Sequence, residues 1–351
     1  MAPLFHALKK KDWAEAVIAH TGQHYDLNMS DVFFHDRGLL PEPDLHLGAG
    51  SGSHAQQTGQ VMIAYEKVLI EERPDIVIVV GEVNSTVAAT LAAVKLGIKV
   101  AHLEAGLRSF DRTMPEEINR LETDTLADML WTPSPDGDEN LIREGTDPDK
   151  ICRVGNIMID SLEMLRDRIE HQNVHHEIGF KKRGYCLVTL HRPSNVDAPE
   201  ILGSLCDLLE RISQKSPLVF PVHPRTLKNL EQNNLISQLK SAEGIRLLEP
   251  LNYIRFMSLV FNCRFVITDS GGIQEETTHP GIPCLTLRPN TERPVTIEQG
   301  SNKLCRPDEL ESEVKNLFKD NIKQYRQIEL WDGKTADRVV DSVKSLLNVS
   351  G

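Results

Sequence analysis

No apolar stretch of the sequence approaches the ~20 residues that a membrane-spanning helix needs, so no membrane partner is expected. The opening residues, Met1-Ala-Pro-Leu-Phe-His-Ala-Leu-Lys-Lys10, lack the basic-then-apolar layout of a secretory signal. There is no CxxC pair: Cys152, Cys186, Cys206, Cys263, Cys284 and Cys305 are scattered, several within apolar runs. Buried, reduced thiols in a cytoplasmic protein are the expectation. Nor is there a surplus of positive charge. Against 51 Asp and Glu stand 39 Lys and Arg, a net charge of -12, which argues against nucleic-acid binding. A small anion in a locally basic cleft is still compatible with that balance. The 13 histidines include no HExxH and no Cys/His cluster, so no metal site is expected. His175-His176 lies in a polar stretch and reads as a solvated loop.

What is present is an alternation of short β-branched runs with helix-like segments. The 351 residues suit two domains of ordinary size. Asp75-Ile-Val-Ile-Val-Val80 is a strand followed by Gly81; Asn84-Ser-Thr86 offers an N-cap for a helix over 87–95; Lys99-Val-Ala-His102 is the next strand. Strands apolar on both faces imply a parallel sheet covered by helices. Further strands are read at 185–189, 218–222, 245–248, 265–268 and 283–287. The change-over between two α/β halves is placed after Gly155-Asn156, with domains over 1–156 and 157–336. The polar stretch 170–183 leads into the second sheet, and a terminal helix over 337–351 packs back on the first.

The amino-terminal half is out of order. A doubly wound domain opens with a central strand whose turn approaches the ligand phosphate. This chain opens with a helix over 2–10 and then a strand at Ala14-Glu-Ala-Val-Ile-Ala19. The first domain is therefore expected to lack its first strand, either through a truncated reading frame, the favoured reading, or through a rearranged sheet. Each unpaired buried backbone group left behind would cost about 1–3 kcal/mol.

Ligands of open α/β sheets sit beyond the carboxyl ends of the strands, so the residues there are the candidates. The 265–268 strand is followed by Asp269-Ser270-Gly271-Gly272 and a helix. Two glycines permit close backbone approach, and the free N–H groups at the helix start suit a phosphate. Glu276, one turn in, could accept bonds from ribose hydroxyls. The plainer alternative is a tight strand–helix connection with Ser270 as N-cap. Glu82 and Glu104 end adjacent strands, and Glu116 follows Pro115 at a helix start. Together they look like acid–base equipment, although Glu116 could simply complement the helix dipole. Arg108 is either an anion contact or a partner for Glu104. His191-Arg192 and His223-Pro-Arg225 follow neighbouring strands, and Glu292-Arg293 follows another, as a set of diphosphate contacts.

Taken in order, these segments resemble the non-hydrolysing UDP-N-acetylglucosamine 2-epimerases. The matching pieces include Thr21-Gly-Gln-His24, Gly81-Glu-Val-Asn-Ser-Thr86, His102-Leu-Glu-Ala-Gly-Leu-Arg108, Pro115-Glu-Glu-Ile-Asn-Arg120, Val188-Thr-Leu-His-Arg192, Pro221-Val-His223, Thr268 to Glu276 and Thr291-Glu-Arg-Pro294. The resemblance implies a glycosyltransferase-B-type fold, with two Rossmann-like doubly wound domains and the site in the cleft. It further implies a homodimer and an isomerase that needs neither NAD nor metal. It carries the acid–base carboxylates to Glu82, Glu104 and Glu116, and the motif histidine to His191. Uridine-nucleotide contacts fall on Leu251, Phe256, Ser270, Gly271, Gly272, Glu276 and Arg293. A secondary activator site would draw on Gln23, His24 and His223, with Arg108 and Arg192 as further secondary contacts.

Two departures from the family pattern stand out. The family's initial strand and Gly-Thr-Arg-Pro-Glu-x-x-Lys turn would precede Met1. Glu82 stands where the family usually has aspartate, and its extra methylene displaces the carboxylate by about a bond length, worth on the order of 100-fold in rate. The implied reaction interconverts UDP-N-acetylglucosamine and UDP-N-acetylmannosamine through elimination of UDP, feeding polysaccharide biosynthesis. The alternatives are an epimerase on another UDP-2-acetamido sugar, a hydrolysing relative, a glycosyltransferase of the same fold, or a truncated, catalytically impaired UDP-binding protein.

Overall fold

The β-branched runs become parallel strands because their side chains alternate between two helix-covered faces. In Ile76–Val80, Val77 and Val79 are buried on one face while Ile76, Ile78 and Val80 pack on the other. The computed structural model describes residues 1–22, 42–319 and 325–349. Within them the chain divides into two units, Met1–Met164 with Glu329–Gly351, and Leu165–Ile328. The chain passes between them inside the helix Ile157–His171.

The strands are β1 (Ala19–His20), β2 (Leu45–His46), β3 (Ile76–Val80), β4 (Lys99–Leu103), β5 (Met129–Thr132) and β6 (Ile151–Arg153) in the first unit. The second unit has β7 (Cys186–Thr189), β8 (Leu218–Pro221), β9 (Ile245–Leu248), β10 (Val266–Thr268), β11 (Cys284–Thr286) and β12 (Asn302–Leu304).

In the first unit β3-β4-β5-β6 form one parallel sheet and β1-β2 a separate parallel pair. The helix Ala2–Lys9 and the C-terminal helix Thr335–Leu346 cover one face of the four-stranded sheet. Leu4, Ala7, Val339, Val340 and Val343 share a core there with Leu103 and Trp131. The indole Nε1 of Trp131 donates to Ser342 Oγ at 2.8 Å. The opposite face packs Leu69, Ala92, Ala93 and Leu141 against Val77, Val79 and Leu130.

The second unit carries one six-stranded parallel sheet in the order β9-β8-β7-β10-β11-β12. Counting from β7, this is the 3-2-1-4-5-6 order of a doubly wound dinucleotide-binding sheet, in which the order reverses between its first and fourth strands. Here that switch point lies between β7 and β10, in the register Leu187↔Val266 to Thr189↔Thr268. Among the described residues no helix is long and apolar enough to cross a membrane.

Three local expectations need correction. The strand read at 14–19 is reduced to Ala19–His20. The N–H of Ile18 goes to the Asp44 carboxylate at 2.8 Å, and the two-residue β2 offers a ladder only to Ala19 and His20. The helix read as capped by Asn84 instead starts there, with Val83 at the cap. The Asn84 side chain is taken up by His54 and Gln57. His175 is 3% exposed rather than solvated, because it lies in a short helix, Val174–Glu177, packed against the helix Tyr253–Asn262.

Candidate active site

At the switch point β7 ends at Thr189 and β10 at Thr268, and the following residues turn toward one another. Asp269 donates its N–H to Thr189 O at 3.3 Å. Its carboxylate accepts the main-chain N–H of His191 and of Arg192, each at 3.0 Å, and the side-chain amide of Asn195 at 3.1 Å. His191 Nδ1 lies 3.1 Å from the same carboxylate. The His191 ring, about one-third exposed, packs 5.3 Å from the ring of His223. His223 heads the helix Pro224–Gln232 and accepts the Arg225 N–H on Nδ1 at 3.2 Å. Arg192 occupies the N-cap of the short helix Pro193–Val196. The two histidine motifs are thus brought side by side.

The helix Gly271–Thr278 opens immediately after β10. Ser270 holds the N-cap position without a side-chain cap; its N–H donates instead to Thr268 Oγ1 at 2.9 Å. Gly271 is required by close approach, since a Cβ there would stand 2.9 Å from Glu292 Oε1 and 3.2 Å from Arg293 Nη1. Below it lies a buried ion cluster. Arg293 pairs with Glu275 at 2.7 Å and with Glu292 at 2.5 Å, and Arg288 pairs with Glu292 at 2.9 Å. Burial alone would raise the Glu292 carboxyl, but the adjacent Arg293 and Arg288 hold it far below the usual carboxylate range. Two arginines and two glutamates offset one another, so the desolvation cost is met inside the cluster.

Glu276 has a different environment. Burial pushes its carboxyl up to about 7, the hydrogen bond from Tyr253 opposes the rise, and the neighbouring Glu275 adds to it. The Tyr253 hydroxyl donates to Glu276 Oε1 at 2.6 Å. Tyr253 starts the helix Tyr253–Asn262, whose N-cap Asn252 accepts the Arg255 N–H at 3.0 Å. Half-buried Phe256 sits one turn further along, and half-buried Leu251 just precedes the cap.

In the first unit the acids gather where β3 and β4 end. Gly81 (φ 70) and Glu104 (φ 74) both adopt the left-handed region immediately after their strands. For glutamate that conformation is uncommon and costly. The turn is secured by Trp131 O, which accepts the N–H groups of both Glu104 and Ala105 at 3.1 Å. The Glu104 carboxylate reaches to 3.9 Å from where a Gly81 Cβ would stand, so glycine leaves that space open. Glu82 pairs with Arg120 at 3.2 Å, and its main-chain carbonyl accepts the Asn119 amide at 2.9 Å. Glu116 stands half-buried in the first turn of the helix Pro115–Leu126, the helix that carries both of those partners.

Several expectations are refined here. Arg108 has a side chain 1% exposed and pairs with Asp124 at 2.8 Å and Glu144 at 2.7 Å, rather than with Glu104 or at an open anion site. Burial would lower its pKa, but Glu144 and Asp124 raise it. Gln23 and His24 lie outside the described residues. Residues given no place in the site from the sequence form a buried polar network beside these acids, and its Arg120 reaches Glu82. Glu117 accepts the Ser109 and Phe110 N–H groups at 2.9 and 2.8 Å and pairs with Arg120 at 2.7 Å. His102 spans from Asp124 at 2.5 Å to Gly81 O at 3.0 Å. Glu117, Arg120 and Asp124 recur at i, i+3, i+7 on one helix face, a spacing that could have marked them as a buried polar stripe. Among the described residues no group of three His, Cys, Asp or Glu side chains could hold a metal ion.

The parallel sheets and the glycine turn at a switch point define an α/β enzyme of glycosyltransferase-B-like fold. A solved structure of Methanocaldococcus jannaschii UDP-GlcNAc 2-epimerase, in complex with UDP-GlcNAc and UDP, superimposes with a TM-score of 0.86 at 40% identity, covering 98% of this chain and 95% of that one. A putative UDP-N-acetylglucosamine 2-epimerase of Listeria monocytogenes gives 0.87 at 31% identity, covering 99% and 92%. The sequence profile of UDP-N-acetylglucosamine 2-epimerase matches residues 6–344. The curated M. jannaschii UDP-N-acetylglucosamine 2-epimerase is 42% identical over 348 residues, 97% of this chain and 94% of the relative. The chain belongs to the UDP-N-acetylglucosamine 2-epimerase family, and is an isomerase.

Proposed function

We propose that the protein interconverts UDP-N-acetylglucosamine and UDP-N-acetylmannosamine by eliminating and re-adding UDP. The observation that carries this reading is the presence in one chain of a nucleotide-type switch point, with its Gly271-Gly272 helix start, and of carboxylates after β3 and β4. The kinship with an enzyme solved with UDP-GlcNAc and UDP supports the substrate class.

The proton on carbon 2 of the sugar is not acidic, so the chemistry needs the anomeric bond to break. The carbon 1–oxygen bond cleaves with its electron pair leaving on UDP. A carboxylate takes the carbon 2 proton, and the carbon 1–carbon 2 double bond of a 2-acetamidoglucal forms. In return, a UDP oxygen adds to carbon 1 while a proton arrives at carbon 2 from the opposite face. Glu82, Glu104 and Glu116 are assigned the proton transfers on the two faces. His191 and Arg293 stabilise charge on the departing diphosphate, and the N–H groups opening Gly271–Thr278 add to that stabilisation. Phe256, Leu251, Ser270 and Glu276 hold the uridine and ribose; His223 and Arg192 are secondary, while Arg108, engaged by Asp124 and Glu144, is given no ligand contact. The enzyme works as a cytoplasmic homodimer and supplies an activated sugar for polysaccharide assembly.

The test is incubation of the purified protein with UDP-N-acetylglucosamine, read by proton NMR. The reading expects UDP-N-acetylmannosamine. Free N-acetylmannosamine with stoichiometric UDP would contradict it in favour of hydrolysis. Turnover confined to a UDP-2,3-diacetamido uronate would reassign the substrate.

A further inference from the structure

Asp269 lies at the switch point, and no role assigned so far uses its carboxylate. It is fully buried, and its oxygens face four donors: the N–H groups of His191 and Arg192, the Asn195 amide and His191 Nδ1. Asn195 also donates to Leu287 O at 3.0 Å, beyond the end of β11. One carboxylate therefore fastens the residues after β7 to those after β10, where bound ligands of such sheets lie.

We propose that Asp269 is a positioning residue, which holds His191 in the Nδ1–H tautomer and so makes Nε2 the ring's working nitrogen. An ionised carboxylate can only accept, so the Nδ1 facing it must carry the hydrogen. In the neutral ring Nε2 is then a lone pair. When it takes a proton, the resulting cation lies against Asp269 and its Nε2–H can donate to a diphosphate oxygen. Burial works to raise the Asp269 carboxyl, but the hydrogen bonds from His191, Arg192 and Asn195 bring it below its ordinary value, so it stays ionised near neutrality.

The adjacent histidine supplies the contrast. His223 Nδ1 accepts from the Arg225 N–H, which puts the hydrogen of a neutral ring on Nε2. Two neighbouring imidazoles, 5.3 Å apart, are set in opposite tautomers by different partners. The use of Nε2 on a diphosphate rests on the proposed epimerase function; the tautomer itself does not.

The direct measurement is a long-range proton–nitrogen correlation spectrum of the full chain labelled with 15N-histidine, the His191 signals being assigned by their loss in His191→Gln. The expected result, once the pH is high enough for the ring to be neutral, is an unprotonated Nε2 and a protonated Nδ1. A neutral His191 protonated on Nε2 overturns the proposal with no variant at Asp269 needed. In Asp269→Asn the amide can present a donor to Nδ1, so the ring should switch to Nε2–H and kcat should fall about 100-fold to 10,000-fold. UDP affinity by calorimetry should change far less. Wild-type kcat in a folded Asp269→Asn protein also overturns the proposal. A purely structural Asp269 would lower thermal stability and leave the His191 tautomer unmoved. If the wild type shows the Nδ1–H tautomer yet does not act on UDP-N-acetylglucosamine, the positioning stands and the epimerase reading falls.

Discussion

The two candidate sites hold their charges in opposite ways. At the end of β3 and β4, Glu82 and Glu104 are half-buried at strand termini, and Glu82 shares Arg120 with the buried Glu117. Beneath Gly271, by contrast, Arg288, Glu292, Arg293 and Glu275 are all buried and paired among themselves. The difference separates two kinds of carboxylate. Those at the strand ends keep access to solvent. Those locked against arginines secure the shape of the glycine turn and are poor proton carriers, as the strongly lowered Glu292 illustrates.

The comparison is broken most severely if the first set proves dispensable. Glu104→Gln and Glu82→Gln should each lower turnover by about 100-fold to 10,000-fold while unfolding free energy moves by no more than about 1 kcal/mol. Epimerisation followed by NMR, beside urea denaturation, separates the two effects. Arg293→Met should do the reverse on stability: it leaves Glu292 and Glu275 short of a buried counter-charge and should cost about 3–5 kcal/mol. A urea midpoint unchanged by Arg293→Met would remove the structural half of the comparison.

Glu276 tests a third environment, a buried acid with a neutral partner. Its carboxyl is lifted from 4.5 to about 7, so the folded protein keeps a proton that the unfolded chain releases above about pH 4.5. This contribution, about 3 kcal/mol, is full below pH 4.5 and is lost as pH rises through 7. The stability difference between wild type and Glu276→Gln, measured across pH 4 to 8, should follow that curve; a flat difference contradicts it. Tyr253→Phe removes the bond that opposes the rise, so the Glu276 titration should move to still higher pH, with about 1 kcal/mol of stability lost. The smallest effect belongs to the surface pair of Arg225 and Asp197. Arg225→Ala should change the unfolding free energy by less than about 1 kcal/mol.

Much of the architecture was legible because parallel strands buried on both faces leave continuous runs free of charged residues, as in Ile76–Val80 and Cys186–Thr189. The turn at Thr268–Glu276 was legible because glycines at a strand–helix junction have few other uses. Ala19–His20 was not, since two residues carry no periodicity and their pairing depends on Leu45–His46, far along the chain. Partner choice was the other limit. Asp269 meets His191 across 78 positions, and Tyr253 meets Glu276 across 23. Arg108 was read as an anion contact or a partner for Glu104, and Asp124 and Glu144 engage it instead. A side chain's residue type states what it can bond, whereas the fold decides which of several possible partners arrives.

The central claim is that carboxylates at the ends of β3 and β4 move the carbon 2 proton of a UDP-sugar. Its most direct test is incubation of UDP-N-acetylglucosamine with the folded protein in deuterated water, with NMR detection at carbon 2 of the recovered UDP-N-acetylhexosamines. Deuterium at carbon 2, lost together with turnover in Glu104→Gln, is the predicted result. Recovery of substrate with its carbon 2 hydrogen intact, from a protein that binds UDP and remains folded, would contradict it.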